Sequence, residues 1–214
     1  VMFQNRDEAA RLLLKKLGAY KDKNVLVLGI PRGAVPMAKT IAEGLHGELS
    51  AVLVHKIPAP GYAELAIGSI GLSGKIFRNK GLITVYGIPE SYVERAAAEE
   101  LAVLKRRQAQ FHLKDISYRD RIVMIVDDGI ATGATVLGAI EEVKSQHPKE
   151  VVVVTAAIAH DTADKIRPQV DKLVSLVESD SFYAVSQYFV EFPQVTDEEV
   201  IKILHPSSYK EFSI

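Results

Sequence analysis

Cysteine is absent from all 214 residues. Its absence excludes a disulfide framework, thiolate catalysis, cysteine-ligated zinc and iron–sulfur clusters, and it fits a reducing compartment, so a cytoplasmic protein is expected. No stretch approaches the roughly 18 uninterrupted apolar residues of a membrane span. Charge of one sign is lacking too. Lys+Arg number 26 against 27 Asp+Glu, a net charge of −1, which calls for neither nucleic acid nor an anionic membrane as partner. No basic stretch runs into an apolar one among the first residues, so no signal peptide is expected. The six histidines (His46, His55, His112, His147, His160 and His205) have no metal-ligand spacing. Gly71-Leu72-Ser73-Gly74 is not a nucleophile elbow, and repeats and low-complexity segments are missing.

What is present is ordinary for a globular chain: 48% hydrophobic and 25% charged residues. The length predicts one domain over 1–214, burying roughly 70% of the unfolded chain's surface without staples. Ala9, Leu13 and Leu17 mark one helical face ending at Gly18, and residues 37–45 have a second helical period. Continuous apolar runs at 25–28, 51–54, 121–126, 151–159 and 173–177 read as buried strands, with helices over 135–146 and 161–166. Strands of this kind alternating with helices predict an α/β fold, a doubly wound and mostly parallel sheet with helices on both faces.

Residues 57–89 differ in texture. Glycine and proline punctuate short β-rich pieces at 66–70, 75–78 and 82–86, which predicts hairpins and a mobile loop, a β-rich lid, rather than a second core. A long helix follows to about Phe111; its Lys105-Arg106-Arg107 run reads as a solvated face. Residues 178–214 form a small C-terminal hood that ends in a helix over 197–204, capped by Thr196 with Glu199 at the third position.

The chemistry concentrates in Asp127-Asp128-Gly129-Ile130-Ala131-Thr132-Gly133-Ala134-Thr135. An apolar strand precedes this segment and a helix follows, so it lies at the strand's carboxyl end, where open α/β sheets bind ligands. Gly129 and Gly133 permit tight turns and close approach. Helix-start N–H groups, with the hydroxyls of Thr132 and Thr135, make a cradle for a dianion. Asp127 and Asp128 would repel a bare phosphate, but as ionised acceptors they suit vicinal hydroxyls. A sugar 5-phosphate satisfies both halves. The segment is neither a Walker loop nor a GxGxxG fingerprint.

Residues 123–135 resemble the signature of the type I phosphoribosyltransferases: four apolar residues, two acids, Gly, then Thr-Gly-x-Thr. The resemblance implies that phosphoribosyl pyrophosphate binds here, its 5-phosphate over residues 130–135 and its ribose hydroxyls toward Asp127 and Asp128. Mg²⁺ would accompany the pyrophosphate and ribose hydroxyls, with the two acids acting on it only indirectly. A second strand-to-helix loop, Gly29-Ile30-Pro31-Arg32-Gly33-Ala34-Val35-Pro36, resembles the family's pyrophosphate loop. Arg32 offers a planar fork of donors for phosphate oxygens, and Pro31 and Gly33 join it in the loop. The loop is most similar to that of a bacterial and archaeal branch of largely unassigned members, which reads Pro-Arg-Gly-Gly-Val-Pro; Ala34 departs from the second glycine.

The same resemblance implies a pyrophosphate cation at Lys56 and a mobile loop over 58–80. It also implies base stacking by Phe182 or Tyr183, a homodimer, and transfer of the 5-phosphoribosyl group to a nucleobase-like nitrogen with release of pyrophosphate. The 6-oxopurine enzymes carry an acid at the position held here by Ala131, which argues against a hypoxanthine–guanine enzyme of that type. Adenine-like, pyrimidine and non-nucleobase acceptors stay open. The competing expectation is a regulator that binds phosphoribosyl pyrophosphate without turnover.

Overall fold

The computed structural model of the protein describes residues 2–207. Its strands are β1 (Leu26–Gly29), β2 (Glu48–Ala51), β3 (Val54–Ala59), β4 (Tyr62–Gly71), β5 (Ile76–Arg78), β6 (Ile122–Ile130), β7 (Glu150–Ala159) and β8 (Lys172–Ser179). The α-helices are α1 (Arg6–Lys16), α2 (Val35–Leu45), α3 (Lys80–Val85), α4 (Glu90–Gln110), α5 (Ala134–Lys144), α6 (His160–Ile166) and α7 (Asp197–Leu204). Five strands form a parallel sheet in the order β2-β1-β6-β7-β8, and β3-β4-β5 form a separate antiparallel sheet.

The alternation of side chains along a strand divides the core into two faces. Val27, Met124, Val126, Val152 and Val154 pack with α1 and α2. Leu26, Leu28, Val123, Ile125, Val151 and Val153 pack with α5 and α6. The chain runs β1-α2-β2 in one direction and β6-α5-β7-α6-β8 in the other. The topological switch point, where such sheets take their ligands, therefore lies between β1 and β6.

Several expectations change. The predicted strand over 51–54 is the junction between the sheets: β2 ends at Ala51 and β3 begins at Val54. The predicted strand at 82–86 is instead α3, started by Asn79, whose Oδ1 accepts from the Leu82 N–H at 3.1 Å. Ile83, Thr84 and Val85 favour a strand by propensity, but this short helix buries none of its residues, so the local cap prevails. Residues 57–89 are not only a loop over the site. Ile57, Ile67 and Ile70 join Val93, Leu104 and Phe111 around α4, and Val195 and Val200 beside α7, in a third buried cluster. The capping box of α7 is as expected, with Glu199 N–H on Thr196 Oγ1 at 3.1 Å and Thr196 N–H on Glu199 Oε2 at 2.7 Å. Among the described residues, no helix is long and apolar enough to cross a membrane.

Candidate functional site at the β1–β6 crevice

The segment from Asp127, expected as a loop, is still strand as far as Ile130. Asp and Gly are poor strand formers, but β7 continues alongside, with Asp127 opposite Thr155 and Ile130 opposite Ile158. β1 stops earlier, with Gly29 opposite Val126. Both acids therefore sit on an overhang, flanked by β7 on one side and by the loop after β1 on the other. The Ile30 N–H on the Val126 carbonyl, 3.0 Å away, anchors that loop to the sheet. The Pro31–Arg32 peptide in the loop is cis.

Neighbouring strand residues face opposite ways, and the two acids obey that rule. Asp128 follows Val126 toward α1. It is 9% exposed, and its Oδ2 accepts from Arg6 Nε at 2.9 Å. Arg6 also donates to the Pro193 carbonyl at 2.7 Å and lies 3.8 Å from the centre of the Phe192 ring. A Cβ on Gly33 would overlap the Asp128 carboxylate, so the pyrophosphate-type loop closes directly over this ion pair. Burial pushes the Asp128 carboxyl up from its ordinary range, and the adjacent Arg6 charge pulls against that rise.

Asp127 faces the other way. It lines a cavity of about 130 Å³ with Gly129, Ile130, Ala131, Thr132, Gly133, Ala134, Thr135, Val136 and Val185. Burial, and then the Asp128 charge, raise its carboxyl well above the ordinary range; its bond from the Asp128 N–H at 3.0 Å opposes them. Gly133 is the N-cap of α5 and adopts φ +78, a left-handed conformation that favours glycine. Having no side chain, it leaves the helix-start donors uncapped. The intrahelical bond from Leu137 N–H to the Gly133 carbonyl, 2.8 Å, comes after the amides of Ala134, Thr135 and Val136. Thr162 Oγ1 fixes the loop from below by donating to the Ala131 carbonyl at 2.6 Å. The result is a helix N-terminus whose amides and dipole suit an anion.

A second cavity, about 450 Å³, adjoins the first. Ile30, Pro31, Arg32, Val52, Leu53, Val54, His55, Leu104, Arg107 and Thr135 line it. Thr135 lines both cavities, so cradle and cleft are neighbours. Lys56 is not part of this lining. It is exposed on β3, and the cleft takes the side chain before it, His55, whose Nδ1 lies 2.8 Å from Glu100 Oε2. Arg107, expected on a solvated helix face, instead reaches the cleft. A signal for it was present, since Arg107 lies three residues after Leu104 and four before Phe111, both fully buried on one stripe of α4. Phe182 is half-buried, its ring centre 5.1 Å from that of Tyr188, whereas Tyr183 is 88% exposed. Val185, just beyond them, packs over Gly129.

The chain is similar in sequence and fold to known proteins. The family described as "Phosphoribosyl transferase domain" matches residues 4–192. A Mycobacterium tuberculosis protein named "Putative phosphoribosyl transferase Rv0571c" is 33% identical over 205 residues, 95% of this chain and 46% of its own length. The chain thus spans about half the length of the curated relatives it matches. The crystal structure of TT1426 from Thermus thermophilus superposes with a TM-score of 0.85 at 34% identity, covering 95% of this chain and 98% of that one. The AQ2163 protein of Aquifex aeolicus, at 13% identity and a TM-score of 0.50, shares the fold over 94% of this chain and 86% of its own. With the acid-pair signature, the glycine-capped cradle and the arginine loop on one sheet edge, this chain belongs to the type I phosphoribosyltransferase family.

Proposed function

We propose that the protein transfers the 5-phosphoribosyl group of phosphoribosyl pyrophosphate to a nucleobase-like nitrogen, with release of pyrophosphate. One observation carries this reading: the uncapped start of α5 and the Asp127 carboxylate line the same small cavity. A ligand that carries both an anion and hydroxyls would satisfy both. The 5-phosphate lies on the amides of residues 134–136 with the hydroxyls of Thr132 and Thr135. Asp127 accepts from a ribose hydroxyl, and Asp128, fixed by Arg6, presents its remaining lone pairs at the other side of the overhang.

In the transfer, the bond from the anomeric carbon to pyrophosphate oxygen breaks and the pyrophosphate departs with the electron pair. A bond forms from that carbon to the acceptor nitrogen, which loses its proton to solvent or to the leaving group. No side chain need bond to the sugar; positioning and charge stabilisation lower the barrier. Arg32, which lines the neighbouring cleft, would stabilise the departing anion. Among the described residues, no cluster of three or more His, Cys, Asp or Glu could cage a metal. One carboxylate, Asp127, lines the phosphate cradle, which fits Mg²⁺ held mainly through substrate oxygens. Mg²⁺, when bound, would neutralise pyrophosphate charge, and Asp127 would orient the ribose hydroxyls at the cradle. Val185, packed over Gly129, would give a flat acceptor an apolar wall, with Phe182 three residues before it in the chain. A cytoplasmic homodimer belongs to the same reading.

The test is a panel of nucleobases and amines incubated with phosphoribosyl pyrophosphate and Mg²⁺, read by mass spectrometry. A new N-ribosyl phosphate with stoichiometric pyrophosphate supports transfer. Tight binding of phosphoribosyl pyrophosphate with no product from any acceptor would overturn transfer in favour of a regulator.

A further inference from the structure

The cleft beside Arg32 holds a relationship that pyrophosphate-loop geometry alone does not supply. Arg32 Nη1, from the loop after β1, and Arg107 Nη2, from the last turn of α4, approach the same atom, Asp197 Oδ1, at 3.7 and 3.3 Å. Asp197 is the first residue of α7, and its other oxygen accepts from Gln110 Nε2 at 3.0 Å. Both arginines line the 450 Å³ cleft, which shares Thr135 with the cradle. The Arg107 side chain is oriented by its own helix, stacked 4.9 Å from the centre of the Phe111 ring.

Resting on the reading above, we propose that Arg107 is a second guanidinium for the pyrophosphate group. It converges with Arg32 on one phosphoryl oxygen, and Asp197 occupies that oxygen's place until the anion arrives. Carboxylate and phosphoryl oxygens are equivalent acceptors for guanidinium forks, so an oxygen already shared by two arginines marks where a phosphoryl oxygen fits. Pyrophosphate carries more negative charge than one carboxylate, so the exchange favours the ligand. Gln110 retains the displaced Asp197 through its other oxygen, so α7 stays docked. The arrangement also assigns the cation that Lys56, outside the cleft, does not provide. Asp197 then sets affinity: it competes with substrate for the leaving-group subsite and releases product pyrophosphate by returning.

Calorimetric titration of the full chain with pyrophosphate, and separately with ribose 5-phosphate, tests this. Arg107→Gln is expected to weaken pyrophosphate about tenfold, as befits one charge-assisted hydrogen bond, and to leave ribose 5-phosphate unchanged. Arg107→Lys, which keeps the charge and loses the fork, recovers part of that loss. Asp197→Asn is expected to tighten pyrophosphate by about threefold, since a neutral amide competes less well for two guanidiniums. The exposed neighbour Glu198→Gln changes neither ligand. Unchanged pyrophosphate affinity in Arg107→Gln, or weaker affinity in Asp197→Asn, overturns the inference. If the unmodified protein binds neither ligand, the reading of the site itself fails instead.

Discussion

Arg6 Nε donates to Asp128 Oδ2 at 2.9 Å, joining the first residue of α1 to the strand end 122 positions later. Both side chains are largely buried, at 11% and 13% exposure. The pair therefore holds one of the two site acids against the first helix, while Pro193 and Phe192 hold Arg6 from the C-terminal segment. Removing one partner of such a pair leaves a buried charge alone, which costs roughly 3–5 kcal/mol. Arg6→Gln and Asp128→Asn are each expected to destabilise the fold on that scale. The double variant should lose clearly less than the sum of the two, because neither charge is then orphaned. Urea unfolding of the four proteins measures this coupling; additive losses would mean that the pair carries no interaction.

Asp127 should act on stability with the opposite sign. Burial and the neighbouring Asp128 charge raise its carboxyl above the ordinary value of 3.8 in the folded chain. The native state then binds more protons than the unfolded state as pH rises through that window, so stability falls with rising pH. Stability from this group is full below about 3.8, its unfolded value, and is lost as pH climbs through the raised native value. Asp127→Asn removes the penalty. It is expected to melt higher than the parent at neutral pH, with the gap closing as both are acidified toward pH 3, while affinity for ribose 5-phosphate drops. A stability gain that did not depend on pH would point to packing rather than charge. Such a trade of stability for a charged ligand contact is usual at functional sites.

Much of this site is legible in the amino-acid order, and the rest is hidden for physical reasons. The strand before Asp127, the glycines of the cradle and the Thr196 cap are local patterns, and local patterns survive in one dimension. That β6 runs through Asp127 and Gly129 to Ile130 is decided by β7 alongside it, a pairing that outweighs the low strand preference of those residues. Arg6 and Arg107 have partners 122 and 90 positions away, so no window of sequence contains either contact. Each nevertheless falls on its helix's apolar stripe, Arg6 with Ala9, Ala10 and Leu13, Arg107 with Leu104 and Phe111. A charged residue in register with buried neighbours is the trace such contacts leave in a sequence. Lys56 and His55 are separated by strand alternation alone, and residue type at the strand end could not decide which of them would line the cleft.

Gly33 is where the loop after β1 meets the ion pair. A Cβ there would overlap the Asp128 carboxylate and come within 3.1 Å of Arg6 Nη2. Neither group can swing aside, because each is held by the other and Arg6 also by Pro193. Gly33→Ala should therefore displace the loop, weaken pyrophosphate binding and lower stability by about 1–3 kcal/mol, the usual cost of overpacking. Gly18→Ala meets no atom within 4 Å and serves as the control with little effect. Melting temperature and pyrophosphate titration on both variants check this; a silent Gly33→Ala would mean that the loop stands off from the acid.

Thr132 tests the cradle without disturbing the fold. It is exposed, in the loop between β6 and α5, and it lines the small cavity with Asp127. Thr132→Val keeps the branched shape and backbone preference while removing one hydroxyl donor. A hydrogen bond to a charged group contributes about 1.5–3 kcal/mol, so affinity for ribose 5-phosphate should fall roughly tenfold or more. Pyrophosphate, bound in the cleft lined by Arg32, should titrate as before, and the melting temperature should stay put because nothing buried has changed. Equal losses for both ligands would place the two anions in one subsite rather than two. Unaltered affinity for both would remove Thr132 from the cradle and leave the amides of α5 and the Thr135 hydroxyl as its donors.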